Sequence, residues 1–152
     1  NTIELAQTDY TLKSKYDFKT IEIIKEYESG LLCVLCHGGS LQQVFFNIIK
    51  NAAEAIFHAK EKNKPPKLIL RILKDTAWVQ IEIEDNGPGI EEKIKPRIFE
   101  PFFTTKGPRE GTGLGLSVSY FIVVEDHDGD IKVESERGTG TKFVIRLPLI
   151  AE

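Results

Sequence analysis

Three features that the sequence lacks limit which kinds of protein this chain can be. Its 152 residues contain no methionine, no basic patch and no apolar run near the roughly 20 residues of a membrane-spanning helix. Since no signal peptide is present either, we expect a cytoplasmic chain without a membrane segment, and membrane anchoring of a longer parent protein stays open. The net charge of -3 disfavours a nucleic-acid partner. Without methionine, we expect the chain to begin inside a longer protein or to be processed, so that its first helix is incomplete.

Cysteine is also scarce. Cys33 and Cys36 form a C-x-x-C pair, but zinc needs two further ligands and only His37 is near. In a strand these two positions point to opposite faces, which disfavours a disulfide. We therefore expect two buried or half-buried thiols in a reducing compartment.

The apolar pattern predicts one α+β domain over residues 1–152, because strands grouped as hairpins need helices over one face. A polar position followed by an apolar stripe predicts a long helix from Ser40, with Ser40 and Gln43 as a capping box. Helices are also predicted over 2–13 and from about Gly115. The predicted strands are 20–27, 31–36, a hairpin of 68–73 with 78–85, and a hairpin of 131–135 with 142–147.

One carboxylate is predicted to point into the interior. Val79, Ile81 and Ile83 alternate with polar residues, and Asp85 continues the apolar parity. A buried charged carboxylate needs a hydrogen-bond donor, and an exocyclic amino group such as that of adenine meets this need. The glycines that follow, Gly87 and Gly89, allow close approach of a flat ligand. An ordinary strand-to-loop turn with a satisfied Asp explains the hexapeptide equally well.

The long helix carries a second polar pattern. Asn47, Asn51 and Glu54 share one face beside the apolar stripe, and asparagine is a poor helix former. Amide oxygens are suitable ligands for Mg²⁺ beside phosphate oxygens. A solvated polar face is the simpler interpretation of this pattern taken alone.

Two further segments are candidates for phosphate contact. The Gly-rich run 111–117 precedes a helix, whose N-terminus favours an anion, although flexible loops are often Gly-rich. The segment 97–106 holds three Phe residues beside a Pro, flanked by charges. It is either a satellite core or the hinge of a mobile cover, with Arg97, Lys106 or Arg109 reaching phosphates.

Five motifs in order resemble the ATP-binding domain of sensor histidine kinases. NIIKNA (47–52) resembles the N box, DNGPGI (85–90) the first glycine box, and FEPFF (99–103) the phenylalanine box. GTGLGLS (111–117) resembles the second glycine box, and GTGTKF (138–143) the motif that closes the site. The resemblance implies the Bergerat fold, a two-layer α/β sandwich whose mixed, mostly antiparallel sheet is backed by about three helices. The residues after the phenylalanine box resemble the short lid of the nitrogen-regulator type.

The resemblance also implies roles for individual residues. Asp85 would bind the adenine amino group, with Thr141 acting through water, and Asn51 would hold Mg²⁺. Asn47, Arg97 and Lys106 would take part in catalysis. The residues implied at the nucleotide are Asn47, Asn51, Asp85, Gly87, Gly89, Ile90, Thr104, Thr105, Lys106, Gly111, Thr112, Gly113, Leu114, Gly115, Leu116 and Thr141.

Position 47 separates branches of this superfamily. Gyrase-like relatives carry a water-activating Glu there, whereas an amide cannot act as a general base. We therefore expect ATP binding with weak hydrolysis. The resemblance to sensor histidine kinases further implies transfer of the γ-phosphate to a histidine on a separate phosphoacceptor and dimerisation domain, followed by a response regulator receiver domain. The parent is expected to be a homodimer and this chain a monomer. His37, His58 and His127 lack the acceptor context and are expected to be surface residues.

Two alternatives remain open. An anti-sigma-type Ser kinase has the same fold, but those relatives usually keep the catalytic Glu. A degenerate nucleotide-sensing scaffold would bind ATP without phosphotransfer. Glu54 stands where relatives often have a basic residue, so Lys106 or Arg109 would have to supply that charge.

Overall fold

A mixed five-stranded sheet is the frame of the molecule. The computed structural model describes residues 2–4, 18–29, 36–59, 64–104 and 114–149. The strands are β1 (Glu22–Tyr27), β2 (Lys67–Lys74), β3 (Trp78–Asp85), β4 (Asp130–Glu136) and β5 (Gly140–Pro148). Their spatial order is β1-β2-β3-β5-β4, with β1 parallel to β2 and every other pair antiparallel.

Helices cover one face of this sheet. They are the segment 2–4, α1 (Gly38–His58) and α2 (Gly115–Phe121), which continues as one π-helical turn over Ile122–Asp126. Short 3-10 turns lie at Phe18–Thr20 and Lys95–Arg97. The expected α+β sandwich with a mostly antiparallel sheet is therefore confirmed. Both predicted hairpins are present, and α2 begins at the predicted glycine.

The core forms between α1 and the inner face of the sheet. Strands β3 and β5 contribute facing pairs, Val79 with Leu147 and Ile83 with Phe143, all of them buried. The same register continues to Asp85 opposite Thr141. Because β3 alternates strictly, the row of apolar pairs ends in a pair of polar side chains at one edge of the core.

The start of α1 differs from the prediction. The helix begins at Gly38, with His37 as the N-cap residue and no hydrogen bond from a capping side chain. Ser40 therefore lies inside the first turn, where the Leu41 N–H already donates to the His37 carbonyl at 3.0 Å. The predicted capping box of Ser40 and Gln43 is wrong.

Several other predictions meet the limits of the described residues or are corrected. Residues 5–13 of the first predicted helix and 31–35 of the second strand lie outside the described residues, as does Cys33. Cys36 is exposed in an irregular segment before α1, so its predicted burial is wrong. Across the described ranges, no helix has the length and apolar character needed to cross a membrane.

Candidate nucleotide-binding site

The end of β3 places a carboxylate in the interior, as its alternation predicts. Asp85 is 6% exposed, and burial raises the pKa of its carboxyl to about 6. The backbone N–H groups of Gly87 and Thr141 donate to the carboxylate and partly offset this rise in pKa. The Gly87 N–H lies 2.8 Å from Oδ1. A buried acid that is still ionised at neutral pH is a strong acceptor for a ligand's hydrogen-bond donor.

The loop after β3 is held against the turn between β4 and β5. Gly89 has φ +77°, and a Cβ there would lie 2.3 Å from the Glu136 carbonyl oxygen, so only glycine fits. The Gly138 N–H donates to the Pro88 carbonyl at 2.7 Å. The Ile90 N–H donates to Ser135 Oγ at 2.8 Å. Gly89 and Ile90 thus have a defined structural role, which fixes the path of the loop beside Asp85.

Asn86 anchors the other side of the same loop. Its Nδ2 donates to the Pro65 carbonyl and its Oδ1 accepts from the Lys67 N–H, both at 2.8 Å. Because both polar atoms of the amide form hydrogen bonds with the backbone, the role of Asn86 is to stabilise the loop.

Ser135 is a residue that the sequence argument missed. Its hydroxyl donates to the Gly140 carbonyl at 2.9 Å and lies 3.0 Å from Thr141 Oγ1. Since the single Ser135 proton goes to a carbonyl, Thr141 is the donor in the hydroxyl pair. A signal existed in the sequence, because Ser135 continues the inward parity of Ile131 and Val133 as Asp85 does in β3.

The polar face of α1 turns toward α2. Asn47 Nδ2 donates to the Gly115 carbonyl at 3.2 Å and to Ser119 Oγ at 3.4 Å. Asn51 is half-buried one turn further on. Glu54 is only 4% exposed, so the face is not a simple solvated surface. Helical spacing alone could not show this, because the burial comes from residues distant in sequence.

The phenylalanine-rich segment combines an anchor with an exposed tip. Phe99 packs against Tyr120 and Phe143, with ring centroids 5.5 and 6.4 Å apart, as the satellite-core interpretation requires. Phe102 has φ 64° and is 75% exposed. This backbone conformation is rare for an aromatic residue and marks the segment as strained.

Arg97 contacts its own segment. Its guanidinium lies 4.5 Å from the Phe103 ring centroid, and its Nε donates to the Glu100 carboxylate at 3.2 Å. The side chain is 58% exposed. The described contacts therefore give Arg97 a local role, and contact with a phosphate stays a prediction.

The remaining predicted site residues divide into two groups. Thr104, Leu114, Gly115 and Leu116 are half-buried on either side of a gap in the described chain. Outside the described residues lie Thr105, Lys106, Arg109, Gly111, Thr112 and Gly113. The described residues contain no group of three His, Cys, Asp or Glu side chains placed to hold a metal ion. The amide oxygens of Asn47 and Asn51 on α1 are of a type that Mg²⁺ accepts as ligands.

His127 corrects one expectation. It is buried at 9% exposure, because its ring fits between Ile122, which opens the π-helical turn, and His37 at the start of α1. His37 and His58 are exposed, as predicted.

Comparison with known proteins agrees with this architecture. The family model for histidine kinase-, DNA gyrase B- and HSP90-like ATPases matches residues 37–151. Sporulation kinase E of Bacillus subtilis is 44% identical over 116 residues, which are 76% of this chain and 15% of that protein. Across eight curated relatives, the chain matches between 12% and 23% of the relative's length.

Two solved structures show the same fold. The nucleotide-free catalytic domain of histidine kinase ThkA has a TM-score of 0.76 and 28% identity, covering 97% of this chain and 91% of that one. Full-length ShkA in complex with AMPPNP also has a TM-score of 0.76, with 25% identity, covering 99% of this chain and 30% of that one. The chain therefore belongs to the histidine kinase-, DNA gyrase B- and HSP90-like ATPase family and is homologous to the sensor histidine kinases.

Proposed function

We propose that this chain binds Mg-ATP and donates the γ-phosphate to a histidine on a separate phosphoacceptor and dimerisation domain, within two-component signalling that ends at a response regulator receiver domain. The observation that carries the proposal is the buried Asp85 carboxyl at the end of the apolar row between β3 and β5. The family match, and the AMPPNP bound by the structural neighbour ShkA, support a nucleotide as the ligand.

Adenine is the base that fits this edge of the core. Its exocyclic amino group donates, and the Asp85 carboxylate accepts. Because the carboxyl pKa is raised by burial, the ionised form is costly without a donor, and a bound amino group relieves that cost. The aliphatic wall beside it includes Ile56, whose Cγ1 would lie 3.5 Å from a Cβ on Gly87. The site thus places an aliphatic side chain beside one polar acceptor.

The α1 face fits the phosphate end of the nucleotide. Asn47 and Asn51 carry amide oxygens, which are hard ligands of the kind that Mg²⁺ binds beside phosphate oxygens. When bound, Mg²⁺ neutralises charge on the phosphates. Leu114, Gly115 and Leu116 open α2 beside Asn47, and this position supports the proposal that their backbone contacts phosphate. For Thr104, Thr105, Lys106, Gly111, Thr112 and Gly113, phosphate contact is proposed from the motifs.

The proposed transfer needs a nucleophile from outside this chain. A bond forms from an acceptor imidazole nitrogen to the γ-phosphorus, the bond to the bridging oxygen breaks, and ADP leaves. The Asn47 amide cannot accept a proton from water. Proteins with an amide at this position therefore favour transfer of the γ-phosphate to an acceptor over hydrolysis of ATP. Lys106 and Arg97 are proposed to neutralise charge in that step, and Arg97 must first leave Glu100.

Calorimetric titration of ATP, with and without Mg²⁺, tests the nucleotide site. We expect micromolar to sub-millimolar binding in the unmodified chain and its loss in Asp85→Asn, whose amide presents a donor as well as an acceptor. Glu84→Gln is the matched control, because Glu84 is the adjacent acid on the opposite sheet face, bonded to Arg71 at 2.6 Å. Equal binding in all three proteins would remove Asp85 from the site.

A second experiment separates kinase from scaffold. The chain is mixed with radiolabelled ATP and the phosphoacceptor domain of its parent protein. Label on the acceptor histidine supports the kinase, and label on serine supports the anti-sigma-type alternative. Tight ATP binding without transfer to the acceptor would favour the nucleotide-sensing scaffold.

A further inference from the structure

A buried serine on α2 contacts the amide that α1 presents to the site. Ser119 has no exposed surface. Its Oγ donates to the Gly115 carbonyl at 2.8 Å and accepts from Asn47 Nδ2 at 3.4 Å. Asn47 Nδ2 donates to the same Gly115 carbonyl at 3.2 Å. The three groups form a closed triangle between the two helices.

The triangle decides which way the Asn47 amide points. The Gly115 carbonyl can only accept. The single Ser119 hydroxyl proton is already given to that carbonyl, so Ser119 also presents a lone pair to Asn47. Two acceptors therefore face the NH₂ end of the amide, and a flipped amide would place its oxygen against both of them. The Asn47 oxygen consequently faces away from α2.

We propose that Ser119 is a positioning residue that keeps the Asn47 amide oxygen turned away from α2 and available to the metal and phosphates of a bound nucleotide. This inference rests on the proposed function, in which that oxygen serves the Mg-ATP end of the site. The two ends of a carboxamide differ in charge, and only the oxygen end suits a cation. Partners that orient a ligating group contribute to metal affinity without touching the metal.

The same helix supplies a matched control. Ser117 Oγ donates to the Leu114 carbonyl at 3.0 Å, which is again a serine bonded to a backbone carbonyl of the preceding turn. No described hydrogen bond links it to Asn47. Ser117→Ala and Ser119→Ala therefore remove the same group from one short helix, and alanine favours the helix in both.

The first readout needs no nucleotide. In ¹⁵N spectra of the nucleotide-free chain, the side-chain NH₂ pair of Asn47 is assigned by its loss in Asn47→Ala. We expect Ser119→Ala to shift this pair and to speed its exchange with water. Ser117→Ala should change neither the position of this pair in the spectrum nor its rate of exchange with water.

The second readout is the gain in ATP affinity on adding Mg²⁺, measured by calorimetry with Mg²⁺ and with chelator. We expect Ser119→Ala to reduce this gain roughly tenfold, with little change in chelator, and Ser117→Ala to leave it unchanged. In a chain that already carries Asn47→Ala, adding Ser119→Ala should not change the gain in ATP affinity any further.

The outcomes separate this inference from the proposed function. If the unmodified chain does not bind Mg-ATP, the proposed function fails, and the role of Ser119 in metal-dependent binding fails with it. If it binds, but Ser119→Ala matches Ser117→Ala in both readouts, only the positioning role is overturned. A Ser119→Ala effect that persists without the Asn47 amide overturns it as well.

Discussion

The imidazole Nε2 of His127 accepts a hydrogen bond of 3.0 Å from the backbone N–H of His37, 90 residues earlier in the chain. The other ring nitrogen, Nδ1, lies 2.8 Å from the Ile122 carbonyl and must donate to it, since a carbonyl only accepts. A neutral ring with its proton on Nδ1 therefore joins Ile122, the first residue of the π-helical turn, to His37, the residue before α1.

His127→Ala should destabilise the fold by about 2 kcal/mol or more, because it leaves two backbone groups without their partner and opens a cavity. His37→Ala is the control, since it keeps the backbone N–H and removes only a ring contact with a centroid distance of 5.7 Å. Urea unfolding measures both. Similar losses in the two variants would contradict the assigned role of the His127 ring.

The raised pKa of Asp85 predicts how stability depends on pH. The folded carboxyl has a pKa of about 6 against an ordinary 3.8, so the native state holds its proton more tightly than the unfolded state. This contribution to stability is fully present below pH 3.8 and is lost as pH rises through about 6. The difference between the folded and the unfolded pKa corresponds to about 3 kcal/mol in the free energy of unfolding.

Asp85→Asn removes this titration, so denaturation of both proteins between pH 4 and pH 7 isolates it. We expect Asp85→Asn to gain stability relative to the unmodified chain as pH rises. A constant difference across this range would mean that the carboxyl is not desolvated.

Replacement by alanine should destabilise the fold at Gly140 but not at Gly115. Gly140 has φ +143°, and a Cβ there would lie 2.0 Å from the Asp85 carbonyl oxygen. Gly140→Ala should therefore cost about 3 kcal/mol or more. A Cβ on Gly115 meets nothing nearer than Asn47 Cγ at 3.9 Å, so Gly115→Ala should fold as well as the parent.

Thermal denaturation tests both glycine variants, and ATP titration is then informative for Gly115→Ala. A folded variant that no longer binds ATP would show that the nucleotide, and not the fold, requires glycine at this position. A large loss of stability in Gly115→Ala would contradict the open space seen around it.

The outer face of the sheet carries an ion-pair cluster around Arg71. Its guanidinium bonds Glu26 at 2.9 Å, Glu84 at 2.6 Å and the nearly buried Glu82 at 3.4 Å. The hydrogen bond to Glu84 is the largest cause that raises the pKa of Arg71 above its usual value. Arg71→Met should cost about 1–3 kcal/mol, because Glu82 loses a partner in a poorly solvated place.

Lys93→Met is the control for the Arg71 prediction, because Lys93 is 80% exposed and pairs only with Glu91, at 3.3 Å, among the described contacts. Lys93→Met should lower the free energy of unfolding by less than about 1 kcal/mol. Urea unfolding at low and high salt compares the two variants. Equal losses would show that Arg71 forms only ordinary surface pairs.

Local patterns in the sequence determined much of the sheet and the inward position of Asp85. Strict alternation in β3 was sufficient to assign Asp85 to the inner face, because side chains in a strand alternate between faces whatever packs on them. The hairpins followed from short loops between apolar runs, and the start of α2 followed from a glycine before an apolar stripe. The ordered motifs identified the family, since their spacing reflects one shared fold.

Tertiary packing decided the rest. The burial of Glu54 and His127, the contact of Ser119 with Asn47 and the position of Arg97 over Phe103 each depend on how separate elements meet. Helical periodicity reports which residues share a face, but the side chains that cover that face come from distant parts of the chain. For this reason the sequence could name Asn47 as a candidate site residue, whereas only the folded chain shows that a buried serine on another helix accepts a hydrogen bond from it.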